Sequence, residues 1–103
     1  MIYIDPPREY PTRLRHKVWS HLVSDTSEEE LHAFAARLGL KRAWFQGRPK
    51  ASAAHYDVTA SKYELAIKLG AIPVTSRELV TRNYDGLHQR GLRGELPPRS
   101  DER

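Results

Sequence analysis

Hydrophobic positions recur along the chain with helical spacing in three places. The clearest apolar stripe has spacings of three and four residues, at Leu31, Phe34, Ala35 and Leu38. Capping-box sequences open the first and third segments, and the glycines Gly39 and Gly70 end the first two, as glycine does at helix ends. The sequence therefore predicts helices that begin near Ser27, Thr59 and Thr75.

Short runs of β-branched and aromatic residues between these helices predict strands. Four strands are expected at residues 1–5, 18–24, 43–46 and 71–74, and an extended stretch at 55–58 leads into the second helix. Pro6 and Pro7 end the first strand, since proline has no N–H to donate to a ladder. For the same reason, Pro73 places the last strand at an edge of the sheet.

The alternation of strands with helices favours parallel pairing. We expect one small α/β domain over residues 1–85, with a mostly parallel sheet of about four strands flanked by two to three helices. Glycine, proline and charged residues dominate residues 86–103, which predicts a basic, flexible tail. Because 103 residues bury only a modest core, a surface cleft or a site shared within a homo-oligomer is easier to build than an enclosed one.

Composition narrows the class of protein further. Apolar residues make up 39% of the chain and charged residues 29%, which is typical of a folded globular protein. Cysteine is absent, so disulfides and thiolate chemistry are excluded and any metal site must use His, Asp and Glu. The N-terminus lacks the pattern of a signal peptide, and no apolar run reaches membrane-spanning length. We therefore expect a cytoplasmic protein with no membrane partner.

The chain is basic, with a net charge of +4 and a pI near 9.6. The basic residues concentrate at 8–17, at 41–50 and beyond 90, which suits a nucleotide or nucleic acid partner but serves solubility equally well. Four aromatic side chains that would stack on bases occur in the predicted strands: Trp19, Trp44, Phe45 and Tyr56. Aromatic residues in short strands more often belong to the core, so these four do not settle the choice.

Several acids and imidazoles map to one edge of the predicted sheet. In an open parallel sheet, strand ends and helix starts meet at the edge where ligands bind. Asp5 and Asp25 end the first two strands, and His32 lies in the first turns of the first helix. His55 and Asp57 immediately precede the second helix. This coincidence predicts one polar site.

The residue types at this edge suit acid–base catalysis or a divalent metal. The candidate catalytic residues are Asp5, His21, Asp25, His32, His55 and Asp57. Carboxylates and imidazoles also bind metals, and the candidate ligands are Asp5, Asp25, His55 and Asp57. In the first turn of the second helix, two residues beside the helix N-terminus are candidates for binding phosphate: Ser61 and Lys62.

Each of these residues also has a structural interpretation, which the sequence leaves open. Asp25 and Asp57 are suited to helix capping, and His21 to a hydrogen-bonded position within a strand. Lys62 is suited to an ordinary surface position. Under this interpretation the polar group is a hydrogen-bond network that binds nothing.

A series of short motifs resembles a known family of small bacterial and phage proteins, the domain of unknown function 4031. The motifs are Tyr3-Ile4-Asp5, His21-Leu22-Val23-Ser24-Asp25, Glu30-Leu31-His32-Ala33, Trp44-Phe45-Gln46-Gly47, His55-Tyr56-Asp57, Ser61-Lys62 and Gly70-Ala71. The resemblance covers residues 2–80 and implies one polar site without implying a reaction. Pro6 stands where the family pattern often has a second aspartate, which weakens a paired-carboxylate metal site at the first strand. Residues 48–54 resemble an insertion before His55-Tyr56-Asp57, which implies a longer or displaced loop there.

Two functions are compatible with these observations. One is a small enzyme, such as a hydrolase, that acts on a phosphate-bearing substrate (a nucleotide or nucleic acid) through the His/Asp cluster, with a divalent metal as its candidate cofactor. The alternative is a non-catalytic accessory module that binds nucleic acid or protein. The sequence leaves open whether the protein is an enzyme.

Overall fold

The computed structural model describes residues 1–11, 17–47, 51 and 53–85. Its helices are α1 (Glu28–Leu38), α2 (Ala60–Lys68) and α3 (Ser76–Arg82), and a short 3₁₀ helix spans Arg42–Trp44. Its strands are β1 (Ile2–Ile4), β2 (Arg8–Glu9), β3 (Val18–Ser24), β4 (Tyr56–Thr59) and β5 (Ile72–Pro73). The predicted tail at residues 86–103 lies outside the described residues.

The five strands form one mixed sheet with β3 at its centre. Strands β1 and β2 pair with β3 on one side and β4 pairs with it on the other, and all three pairings are antiparallel. Only β5 runs parallel to its neighbour, β1. The prediction of an α/β domain is confirmed, but the prediction of a mostly parallel sheet is wrong. No described helix separates β1 from β3, and a parallel neighbour would need such a crossover.

The helix ends follow the signals in the sequence. The Ser27 hydroxyl accepts a hydrogen bond from the Glu30 N–H, and the Thr75 hydroxyl accepts one from the Glu78 N–H. Gly39 follows α1 with a φ of 89°, a left-handed conformation that favours glycine. The three predicted helices are confirmed. At α1 and α3 the cap is a local interaction that the sequence specifies directly, whereas Thr59 precedes α2 without a side-chain capping hydrogen bond.

The two faces of the sheet carry different helices. Helices α1 and α2 cover one face, where the main core contains Ile4, Leu22, Leu31, Leu38, Tyr56, Val58 and Ala66. Helix α3 covers part of the other face, where Leu79 packs against Tyr3 and Val23. Since side chains alternate along a strand, each strand residue next to a main-core residue points toward the α3 side. This second face is only partly apolar, and it also carries the polar site.

Two predicted elements differ from the structure. The strand expected at residues 43–46 is the 3₁₀ helix followed by a single bridge between Gln46 and His55. The basic segment at residues 8–17, for which the sequence predicts no strand, contains the short strand β2, because its backbone continues the ladder along β3. The expected edge strand around Pro73 is confirmed as β5. Among the described residues, no helix has the length and apolar character needed to cross a membrane.

Replacing Leu31 tests how far the stability of the protein depends on the core on the α1 side of the sheet. Its side chain is fully buried, so Leu31→Ala should lower the free energy of unfolding by about 2–5 kcal/mol. Urea denaturation followed by circular dichroism measures this change. The matched control is Leu65→Ala on α2, where the leucine is 41% exposed and the loss should stay below about 0.5 kcal/mol. Equal losses for the two variants would contradict this assignment of the core.

Candidate functional site

The register between β3 and β4 creates the candidate site. His21 lies directly opposite Asp57, and the next pair along the ladder is Leu22 opposite Tyr56. Because Leu22 and Tyr56 belong to the main core, His21 and Asp57 project from the other face of the sheet. His21 is buried, whereas Asp57 is partly exposed and so gives the pair access to solvent.

His55 completes the cluster from the residue just before β4. Its backbone is fixed by two hydrogen bonds with Gln46, of 3.0 and 2.9 Å. Its Nε2 atom lies 3.4 Å from Oδ1 of Asp57, and Nε2 of His21 lies 3.9 Å from the same oxygen. The two imidazole rings meet edge to face with centroids 5.3 Å apart. One ligand atom from each of the three residues therefore lies within 4.8 Å of the others.

The other nitrogen of each imidazole is held by a hydrogen bond. Nδ1 of His55 lies 2.9 Å from the carbonyl oxygen of Ala53, which can only accept, so Nδ1 must be the donor. Nδ1 of His21 lies 3.0 Å from Oδ2 of Asp5. With Nδ1 as the donor in each ring, the neutral form of either imidazole carries its lone pair on Nε2, the nitrogen nearer Asp57. The two hydrogen bonds thus specify the tautomers as well as the orientations of the rings.

Asp5 is the acceptor that orients His21. Its carboxylate is buried and accepts from the backbone N–H of His21 at 2.6 Å, from Nδ1 of the same residue, and from the Ser76 hydroxyl at 3.0 Å. Burial by itself would raise the pKa of Asp5. The hydrogen bonds and charge of His21, together with the Ser76 hydroxyl, outweigh burial and lower that pKa, so the carboxylate stays ionised.

The converging atoms are of the kinds that bind divalent metals. Imidazole nitrogens and carboxylate oxygens are common zinc ligands, and Nε2 of His55 and Nε2 of His21 lie 3.4 and 3.9 Å from the same Asp57 oxygen. Ligands of a tetrahedral zinc ion, with bonds of 2.0–2.1 Å, lie about 3.3 Å apart, so the His55 contact has nearly this spacing and the His21 contact is wider.

Asp25 does not join this cluster. It lies beyond the end of β3, four residues from His21, which corresponds to about 13 Å of extended chain. Its carboxylate instead lies 2.9 Å from the Met1 amino group and accepts from the Tyr3 hydroxyl at 3.4 Å. The sequence interpretation placed Asp5 and Asp25 at one edge because it assumed parallel strands. In the antiparallel pair, the end of β1 lies beside the middle of β3.

His32 also lies elsewhere, on the side of the sheet that α1 covers. Its Nδ1 lies 2.8 Å from the Tyr56 hydroxyl and its Nε2 lies 2.9 Å from the Glu28 carboxylate. The ring also packs edge to face against Phe45 at 4.6 Å. The sheet separates this network from His21 and Asp57, because Tyr56 and Asp57 point to opposite faces. His32 therefore links α1 to β4 and does not contribute to the cluster.

The two candidate phosphate-binding residues, Ser61 and Lys62, make contacts on the side of the sheet that α1 and α2 cover. The Lys62 ammonium donates to the carbonyl oxygen of Leu38 at 3.0 Å, which caps the end of α1. The Ser61 hydroxyl lies 3.2 Å from the hydroxyl of Thr59. A role for Ser61 and Lys62 in phosphate binding stays a prediction, and these contacts do not favour it.

Three residues near the cluster were not singled out by sequence reasoning. Ser76 begins α3 and donates to Asp5, and the Arg8 guanidinium donates to the Ser76 hydroxyl at 3.3 Å. Tyr10 packs edge to face against His21 with ring centroids 5.8 Å apart. The capping box marked Ser76 as part of a helix start. Nothing local linked residue 76 to residue 5, because only the tertiary fold brings them together.

The fold and the cluster define a small α/β protein with a buried Asp–His pair and two further polar residues at one face of a mixed sheet. The chain belongs to the family described as protein of unknown function (DUF4031), whose family model matches residues 2–85. The match confirms the resemblance seen in the sequence motifs. No curated protein and no solved structure matches this chain significantly.

Replacing Asp5 should destabilise the protein more than replacing Asp25. Asp5→Ala leaves the backbone N–H and Nδ1 of His21 buried without this acceptor, so we expect a loss of about 2–4 kcal/mol. Asp25→Ala removes contacts of an exposed ion pair and should cost about 0–1 kcal/mol. Urea denaturation compares the two. If Asp5→Ala unfolds at the same urea concentration as the wild type, Asp5 does not hold His21 as described.

Proposed function

We propose that His21, His55 and Asp57 bind one divalent metal ion. The observation that carries this proposal is the convergence of both Nε2 atoms on one Asp57 oxygen while both Nδ1 atoms are held by acceptors. Two imidazoles and one carboxylate form a ligand set used by hydrolytic zinc sites and by non-haem iron sites.

In this proposal, Asp5 orients the His21 ring. A ligating histidine commonly donates its second N–H to a carboxylate, which fixes the ring and strengthens the nitrogen that binds the metal. Both oxygens of Asp5 already accept hydrogen bonds, so neither is directed at the cluster. The backbone carbonyl of Ala53 does the same for His55. The ligand set therefore gains His21 and omits Asp5 and Asp25.

The reaction we propose is hydrolysis of a phosphate-bearing substrate, a nucleotide or a nucleic acid. A divalent metal held by these three residues would leave positions for a water molecule and a substrate oxygen, and it would supply water with a lowered pKa. In the net reaction, the oxygen of water bonds to phosphorus, the P–O ester bond breaks, and the proton that water loses goes to the leaving oxygen. The exposed guanidinium of Arg8, linked through Ser76 to Asp5, supplies positive charge for the phosphate beside the site.

The alternative of a non-catalytic binding module remains a second candidate. The observation in its favour is the basic charge of the chain together with the exposed Trp44. The two functions differ in their response to metal, because a simple binding module does not need the His/Asp cluster. Measurements of metal binding and of turnover therefore distinguish the enzyme from the binding module.

The metal site can be tested with zinc alone. The wild-type protein should bind one Zn²⁺ per chain, and His21→Ala or His55→Ala should lower the affinity at least about 100-fold, since two ligands hold a metal poorly. Competition with a chromophoric chelator measures the affinity. Asp5→Asn should keep the stoichiometry and lower the affinity about 10- to 100-fold, as loss of an orienting group does.

His32→Ala and Asp25→Asn serve as matched controls, because they remove an imidazole and a carboxylate outside the cluster. Both should bind Zn²⁺ as the wild type does. If the wild type binds no divalent metal, or if the control variants lose the metal as His55→Ala does, the proposed site is wrong.

Hydrolysis is tested with a chromogenic phosphodiester and a panel of nucleotides. Turnover should vanish after treatment with a chelator and return when Zn²⁺ or Mn²⁺ is added. His55→Ala should lower kcat/KM at least about 100-fold while circular dichroism shows an unchanged fold. Metal binding without turnover of any phosphate ester would refute the hydrolytic part of the proposal and leave the metal site standing.

A further inference from the structure

A basic surface with an exposed tryptophan lies at the end of α1 and on the 3₁₀ helix. Trp44 is 46% exposed. The other exposed large hydrophobic residues in the described part of the chain are aliphatic. The ammonium of Lys41 lies 5.6 Å above its ring, and the guanidinium of the neighbouring Arg42 lies 5.9 Å from the Phe45 ring. We call Lys41, Arg42 and Trp44 the tryptophan platform.

The stretch of sequence around the platform contains no acidic residue. Residues 31–56 include five Lys and Arg residues and neither Asp nor Glu, although the whole chain has 13 acidic residues. Among the described residues, the Glu28 carboxylate contacts the platform, at 3.5 Å from the Arg42 guanidinium. Both groups of that pair are about half exposed or more, so it contributes little and can give way to a stronger anion. The platform therefore suits a polyanion.

The platform is close in sequence to a residue that pairs with the metal site. Trp44 lies two residues before Gln46, about 7 Å of extended chain. Gln46 makes two backbone hydrogen bonds with His55, a proposed metal ligand. Phe45 packs against Tyr56 on the α1 side of the sheet, whereas the His55 ring packs against His21 on the other face. A ligand that contacts both the platform and the metal site must therefore pass round the edge of the sheet, which suits an extended strand.

We infer that the substrate is single-stranded nucleic acid and that the tryptophan platform holds it, an inference that rests on the proposed phosphate chemistry of the metal site. One base stacks on Trp44, and phosphates on either side pair with Lys41 and Arg42. Stacking on an aromatic ring needs an unpaired base, since bases in a duplex already stack on each other. This requirement favours a single strand over a duplex.

An acidic protein is a weaker match to the same surface. Carboxylates would pair with Lys41 and Arg42, but a protein partner that buries a tryptophan usually surrounds it with further apolar contacts. The Lys41 ammonium lies over the Trp44 ring, and the Arg42 guanidinium lies over the ring of the next aromatic residue, Phe45. A flat aromatic ring among cations is the combination that unpaired bases and their phosphates recognise.

Binding is measured by fluorescence anisotropy of a labelled oligothymidylate of about 20 nucleotides, with chelator-treated protein so that metal plays no part. The wild type should bind the single strand at least about tenfold more tightly than a duplex of the same length. Trp44→Ala should weaken binding about tenfold. Lys41→Ala combined with Arg42→Ala should lower the slope of log K against log salt by about one to two.

Three variants serve as controls. Leu65→Ala removes an exposed apolar side chain from α2, and Arg77→Ala removes an exposed cation from α3, on the other face of the sheet. Both should bind the oligonucleotide as the wild type does. His55→Ala should also keep its affinity in chelator, which separates this inference from the proposed metal chemistry. If the metal site proves wrong, binding at the platform is still measured directly.

Three results would overturn the inference. The first is equal affinity of Trp44→Ala and the wild type for the oligonucleotide, and the second is equal affinity of the wild type for the duplex and the single strand. The third is a loss of heparin affinity in Trp44→Ala as large as its loss of oligonucleotide affinity, which would indicate a general polyanion surface. Gel filtration of the wild type and Trp44→Ala checks a fourth result, since a dimer that dissociates in the variant would assign Trp44 to an interface between copies of this chain.

Discussion

The buried contact between Asp5 and His21 is the constraint on which the rest of the site depends. A buried carboxylate is stable only when hydrogen bonds replace its lost hydration, and Asp5 obtains them from both the backbone and the ring of His21. This pairing locks β1 against β3 and fixes the tautomer of His21. It also directs Nε2 toward Asp57, so one interaction serves both the sheet and the site.

The sheet divides stability and chemistry between its two faces. The α1 and α2 side contains nearly all of the large apolar core, including Leu22 and Tyr56. The residues next to them in the strands, His21 and Asp57, point to the other side. A chain of 103 residues has too little apolar surface to cover both faces fully. The second face can therefore carry polar groups, because only Leu79 and a few neighbours need burial there.

The candidate site was predictable in part. The residue types and the spacing of His55 and Asp57 indicated ligands that point together, and in the structure both side chains reach the same small volume. Asp5 was also singled out, although its two oxygens are used to orient His21. For His21 the sequence favoured a structural role, since a lone histidine in a strand shows no partner in sequence. Asp25 was misplaced because its position depended on the assumed direction of the strands.

By itself, the sequence determined the helices and their ends. Hydrophobic spacing and capping residues such as Ser27 act within one turn, so local physics specifies them. The tertiary structure alone decided the direction of β1 relative to β3, and with it the partner of Asp5. That choice depends on hydrogen bonds and packing between residues far apart in the chain. For the same reason, only the fold shows that Ser76, 71 residues from Asp5, helps to hold the carboxylate that orients His21.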